Sequence, residues 1–238
     1  MKILYIFPHP DDESFGPAAA IHSQLSQGHE VHLLTLTRGG ATRQRHKLGL
    51  SVSEMGEVRY KEMLDVEKTL GLNSMTVLDY PDSGLQEMDP RELENTIKDF
   101  IKKMTPDVIV TYPVHGISGF HDHLVTHAVV KRVYLELKDE GASYLKRLAF
   151  VTVPDDGSPS WSGKGLPRLK LSGEELIDCI INLNDDDVNA LKDALACYAT
   201  YKETIEESGV VETIGDKLYF EFFQEDCKPV VDSITQFE

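Results

Sequence analysis

Apolar residues along this chain recur in two alternating rhythms. Unbroken apolar runs of strand length stand at 2–8 (KILYIFP), 30–37 (EVHLLTLT), 74–80 (SMTVLDY), 106–113 (PDVIVTYP) and 147–153 (RLAFVTV). Runs without a two-residue alternation predict strands covered on both faces. The stretches between them read as helices: 13–28 with Gly28 as a stop, 56–72 ending near Gly71, 89–104, and about Asp122 to Lys138. In 89–104, Asp89 is a cap, Pro90 suits the first turn and Glu92 completes a capping box, while Leu93, Ile97, Phe100, Ile101 and Met104 form one apolar stripe.

Strands alternating with helices imply an α/β, Rossmann-like fold: a mostly parallel sheet in the usual order 3-2-1-4-5, with helices on both faces. The rhythm breaks at 154–175, where Gly, Pro and Ser make either a surface loop or a lid around Trp161. A last helix at 185–206 carries Val188, Leu191, Leu195 and Tyr198 on one face, and KLYFEFF at 217–223 reads as an added edge strand. With no repeat and no linker, 1–238 reads as a single domain, its core about 1–155 and its C-terminal loop, helix and edge strand in 156–238.

Composition narrows the function classes. Asp and Glu outnumber Lys and Arg by 40 to 24, and a formal charge of −16 argues against a nucleic-acid or anionic-membrane surface. Cys179, Cys197 and Cys227 are odd in number and lack a CxxC spacing, so neither a disulfide framework nor a thiolate metal site is indicated. No run approaches the ~20 apolar residues of a membrane span, and ILYIF is short for a signal-peptide core. The chain therefore reads as cytoplasmic and soluble.

The chemistry concentrates in two loops. In the order 3-2-1-4-5, strands one and four are neighbours where the chain reverses direction, and ligands bind at their carboxyl ends. The loops that follow them are PHPDDES and PVHGISGFHDHLVTH, which hold the densest His and Asp clusters in the chain. Two imidazoles and one carboxylate are a frequent catalytic zinc set, and His9, Asp12 and His123 can supply it. Asp11 is then left beside the metal, placed to take a proton from bound water. A metal hydrolase is the expectation. A plainer alternative has Asp11, Asp12 and Glu13 favouring the positive end of the first helix, worth ~0.3–1 kcal/mol each, which leaves His9 unexplained. His127, four residues after His123, reads as surface or core; His22 and His29 lie away from the crevice, and His115 stands near its mouth.

PHPDDE after strand one and DHLVTHAVV after strand four resemble the LmbE-like, PIG-L family of zinc-dependent N-acetylglucosamine deacetylases, of the bacillithiol and mycothiol type. LTRGG at 36–40, VRYKE at 58–62, PDSGL at 81–85 and PDVIVTYP at 106–113 extend the resemblance over about residues 1–140. It implies zinc (Zn2+) held by His9, Asp12 and His123, Asp11 as general base, Arg59 as a substrate contact, and a small N-acylated sugar as substrate. Assembly into homo-oligomers is a further implication. The second motif departs from the family's His-Pro-Asp-His, because Phe120, His121, Asp122 and His123 stand there. Phe120 occupies the place of the histidine that polarises the carbonyl and protonates the leaving amine. His121 is the expected substitute, with His115 as the alternative, and Asp122 is expected to orient an imidazole or cap the helix. A member that binds zinc with altered or lost catalysis is the variant reading.

A rival of another class is a phosphoacceptor receiver domain, with the acids at 11–13 binding magnesium and Asp79 phosphorylated. Against it stand His9 and Pro10 between strand and acids, the missing Lys-Pro after strand five, and the length of the chain.

Overall fold

The computed structural model describes residues 1–155, 157 and 169–237; the expected lid around Trp161 lies outside them. The five apolar runs fold as β1 (Lys2–Phe7), β2 (Glu30–Thr37), β3 (Ser74–Tyr80), β4 (Val108–Thr111) and β5 (Arg147–Thr152). All four of their mutual pairings are parallel, in the order β3-β2-β1-β4-β5. The connecting helices are α1 (Pro17–Ser26), α2 (Gln44–Leu48), α3 (Val52–Leu70), α4 (Pro90–Met104) and α5 (His121–Asp139). The C-terminal part adds β6 (Cys179–Asn182), α6 (Asp185–Ala196), α7 (Lys202–Ser208), α8 (Val210–Ile214) and β7 (Lys217–Phe222). Among the described residues, no helix is long and apolar enough to cross a membrane.

β1 lies at the centre and shows how one run serves two cores. Successive side chains of a strand point to opposite faces. Ile3, Tyr5 and Phe7 pack into a cluster with Ala18 and Ile21 of α1, Met63 and Val66 of α3, and Leu191 and Leu195 of α6. Leu4 and Ile6 face the other way, into a cluster with Leu93, Ile97 and Ile101 of α4 and Val130 and Val133 of α5. Because both faces are covered, polar outward positions have no place in the run.

The boundaries differ from expectation for local reasons. α3 begins at Val52, earlier than its apolar pattern, because Ser51 and Glu54 form a reciprocal capping box. At α4, Asp89 caps the Arg91 N–H and Pro90 takes the first turn, but Glu92 makes no capping box. The expected helix over 185–206 is broken: α6 stops at Ala196, Tyr198 leaves the helical conformation, and a 3-10 turn over Ala199–Tyr201 leads into α7. KLYFEFF is not an edge. β7 pairs antiparallel with β5 on one side and with β6 on the other, so β6 is the edge strand.

Candidate metal and catalytic centre

The loop after β1 carries the first arm. α1 starts only at Pro17, with Gly16 as its cap and no acid in its first turn, so the acids at 11–13 do not serve the helix end. Asp11 has a φ of 83°, in the left-handed region that a non-glycine residue enters only with support. The turn brings the Asp12 carboxylate back onto the loop, where Oδ2 accepts the His9 N–H at 2.8 Å. The second arm comes from β4 and α5. The Tyr112 hydroxyl donates to Asp12 Oδ1 at 2.7 Å, and the Tyr112 ring stacks on His123 at 4.1 Å between centroids.

Both imidazoles have one nitrogen committed. His123 Nδ1 donates to the Gly116 carbonyl at 3.0 Å, leaving Nε2 to face the centre. Gly116 has a φ of 63°, and a Cβ there would come within 2.8 Å of the His123 side chain, so the carbonyl reaches the ring only from a glycine. His9 Nε2 donates to Asp122 Oδ2 at 3.1 Å and lies 3.3 Å from Asp82 Oδ1, leaving Nδ1 to face inward. His9 Nδ1 and His123 Nε2 then stand 3.3 Å apart, with Asp12 Oδ1 3.3 Å from His123 Nε2. One ligand atom from each of His9, Asp12 and His123 lies within 4.8 Å of the others. Two ring nitrogens this close beside a carboxylate hold a positive charge between them, a proton or a metal ion, and the donor types are those of a metal site.

Electrostatics points the same way. Burial disfavours charge on His9, but the hydrogen bond to Asp122 and the charges of Asp12, Asp82 and Asp122 outweigh it and lift its pKa to about 8. Burial would raise Asp12 as well; His123, His9 and the Tyr112 hydroxyl overcome it and hold the carboxyl below the usual range. Asp11 takes no part in the ligand group. Burial raises its pKa to about 6 against the pull of Arg59, whose Nη2 donates to Asp11 Oδ2 at 2.5 Å.

Arg59 is 2% exposed. Its other bonds go to the Pro10 and Gly39 carbonyls and to the Tyr201 hydroxyl, which places it behind Asp11 and not open to the crevice. The Asp122 carboxylate accepts from His9 Nε2 through one oxygen and also accepts the N–H groups of Ser83 and Leu85. His121 is the first residue of α5 and exposed, outside the hydrogen bonds that join the group. Phe120 is 53% exposed and meets His123 edge-on at 5.6 Å. His115 donates to the Ser172 hydroxyl at 3.0 Å, and His127 donates Nδ1–H to the Tyr112 carbonyl and packs on Phe150. Sequence reasoning passed over Asp82 and Tyr112. The tyrosine ends a strand on the crevice side, which was a usable signal; Asp82 had only its place in PDSGL.

An α/β sheet with a His–His–carboxylate centre at the switch between β1 and β4 defines the class. Residues 4–134 match the family model described as "PIG-L: GlcNAc-PI de-N-acetylase", and the chain belongs to that family. It is 29% identical over 152 residues to the 1D-myo-inositol 2-acetamido-2-deoxy-alpha-D-glucopyranoside deacetylase of Thermomonospora curvata, covering 55% of this chain and 51% of the relative. It is 30% identical over 140 residues to the "Probable N-acetyl-alpha-D-glucosaminyl L-malate deacetylase 2" of Bacillus cereus, covering 58% of this chain and 63% of the relative. These matches thus span between half and two thirds of the relatives' lengths.

Solved structures extend the likeness to the whole fold. A deacetylase of the teicoplanin pathway aligns with a TM-score of 0.72 at 15% identity, over 95% of this chain and 99% of that one. The 4-carboxy-2-hydroxymuconate hydratase of Pseudomonas putida aligns with a TM-score of 0.71 at 13% identity, over 100% of both chains. The fold alone therefore does not select the reaction. The receiver reading falls with the family match: Asp79, its phosphoacceptor, is 83% exposed in its side chain and pairs with Arg38 at 3.4 Å.

Proposed function

We propose that this chain is a zinc-dependent hydrolase that removes the acetyl group from an N-acetylglucosamine-type sugar. The observation that carries the reading is the inward-facing set of His9 Nδ1, Asp12 and His123 Nε2 with Asp11 beside it and outside it. The family match and the relatives' names support the amide-cleaving chemistry. When bound there, zinc supplies Lewis acidity toward the acetyl carbonyl and makes water acidic near neutral pH. The chain's own residues do the rest. Asp82 and Asp122 fix the tautomer of His9, and Gly116 fixes that of His123. Asp11 accepts the proton of the attacking water, and Arg59 keeps its carboxylate ionised and aligned.

His121 is the proposed donor of the proton that the leaving amine takes, in place of the imidazole that Phe120 removes. Arg59, proposed as a substrate contact by resemblance, acts in this reading through Asp11. The whole of 1–238 works as one catalytic domain on a small N-acylated sugar in the cytoplasm, with homo-oligomers as the proposed assembly. The test is metal analysis of the purified protein with acetate release from N-acetylglucosamine, its inositol conjugate and its malate conjugate. Stoichiometric zinc with acetate release from any of the three is expected. A protein free of transition metal, or one loaded with zinc and inert on all three sugars, overturns the proposal.

A further inference from the structure

The base expected at Asp11 is held by a segment that lies beyond the family-matched residues. We propose that Tyr198 is the positioning residue for Asp11, so that the C-terminal part of the chain completes the catalytic centre; the inference rests on the reading of Asp11 as general base.

Asp11 needs holding because its backbone is at a φ of 83°. Its N–H donates to the Tyr198 hydroxyl at 2.8 Å, and that hydroxyl donates onward to Glu13 Oε1 at 2.7 Å. A phenol has one proton to give, and here the amide and the carboxylate use both its accepting and its donating side. Tyr198 and Glu13 are fully buried, so water does not stand in for either bond. The carboxylate end of Asp11 is held in parallel. Arg59 grips Oδ2, and its guanidinium lies 4.2 Å from the ring centroid of Tyr201 and 5.8 Å from that of Tyr198. Tyr201 accepts from Arg59 and donates to Thr42.

The support behind these tyrosines is firm. α6 packs on α1 through the core residues Leu191, Ala194 and Leu195, and His22 bonds Asp187 at 2.7 Å. Tyr198 reaches the loop because α6 ends two residues before it. Each of the paired acids thus has its own tyrosine: Tyr112 from β4 on Asp12, and Tyr198 from the C-terminal part on Asp11.

Tyr198→Phe removes one oxygen and leaves His9, Asp12, His123 and Tyr112 in place. It is expected to keep the zinc content and the KM for N-acetylglucosamine while lowering kcat about 10- to 100-fold, the usual loss when a supporting hydrogen bond is removed. Amide hydrogen exchange followed at Asp11 is the second readout: slow in the wild-type protein, and fast at that amide in the variant. A variant with wild-type kcat, or a rapidly exchanging Asp11 amide in the wild-type protein, overturns the inference. Should the variant not fold, the wild-type exchange rate decides by itself. A wild-type protein that releases no acetate sinks the proposed function instead, a result distinct from wild-type turnover that Tyr198→Phe leaves untouched.

Discussion

Residues 4–134 and residues 179–222 contribute to one sheet by opposite rules. The first build parallel strands and deliver His9, Asp12 and His123 from the two loops at a switch in strand order. The second add an antiparallel pair at the β5 side and reach the same centre laterally, through hydroxyls on a broken helix. The clustered His and Asp side chains therefore sit where topology puts any crevice, whereas the groups that bond Asp11 come from whatever packs alongside.

The largest effect is expected from removing the N-terminal histidines. His9→Ala together with His123→Ala is expected to bring zinc content to background and acetate release below detection; zinc retained at wild-type level refutes the ligand set. Next in size is Asp11→Asn, expected to keep zinc and lose about 10²- to 10⁴-fold in kcat, the range of a positioned proton acceptor. Near-full turnover would assign the base to another group.

The C-terminal part is tested through stability. Arg147 is buried, forks onto Glu225 with bonds of 2.5–3.1 Å, donates to the Ile234 and Gln236 carbonyls, and lies between the rings of Phe222 and Phe237. Arg147→Ala should lower the unfolding free energy by about 3–5 kcal/mol in urea titration, because it strands a partly buried carboxylate and two carbonyls. An unchanged midpoint would mean that this clip holds nothing. Within the N-terminal part, Asp122→Asn frees His9 Nε2 from its charged partner and should weaken zinc affinity about 10- to 100-fold by chelator competition.

The smallest effect is one of pH. Burial lowers the pKa of His127 below its unfolded value of 6.5. A histidine lowered on folding contributes stability that is present above that value and is lost as pH falls below it, since the unfolded chain then binds more protons. The thermal midpoint of His127→Gln should therefore fall less than that of the wild-type protein between pH 7.5 and pH 5.5. Parallel declines would show that His127 does not titrate in this way.

The order β3-β2-β1-β4-β5 was legible because central parallel strands must be apolar on both faces, and β1, β4 and β5 are buried along almost their whole length. The meeting of His9, Asp12 and His123 followed from that order together with the two loops rich in His and Asp. Where the reading went astray, a local signal yielded to packing. The periodicity through 185–206 continues past Ala196, yet the backbone leaves the helix at Tyr198, where the hydroxyl finds the Asp11 amide and the Glu13 carboxylate. KLYFEFF looked like an edge strand because a half-exposed antiparallel strand has the same pattern wherever it lies in a sheet.

By itself, then, the sequence determined the parallel α/β core, the crevice between its first and fourth strands, and the His–Asp donors that meet there. These depend on periodicity and on topological rules that act whatever the distant partners are. The tertiary structure alone decided which nitrogen of each imidazole faces the centre, that Arg59 stands behind Asp11, and that Tyr198 and Tyr201 bond the Asp11 amide and Arg59. Such choices turn on hydrogen bonds of 2.5–3.3 Å between groups up to 187 residues apart, and no local pattern encodes a partner at that separation.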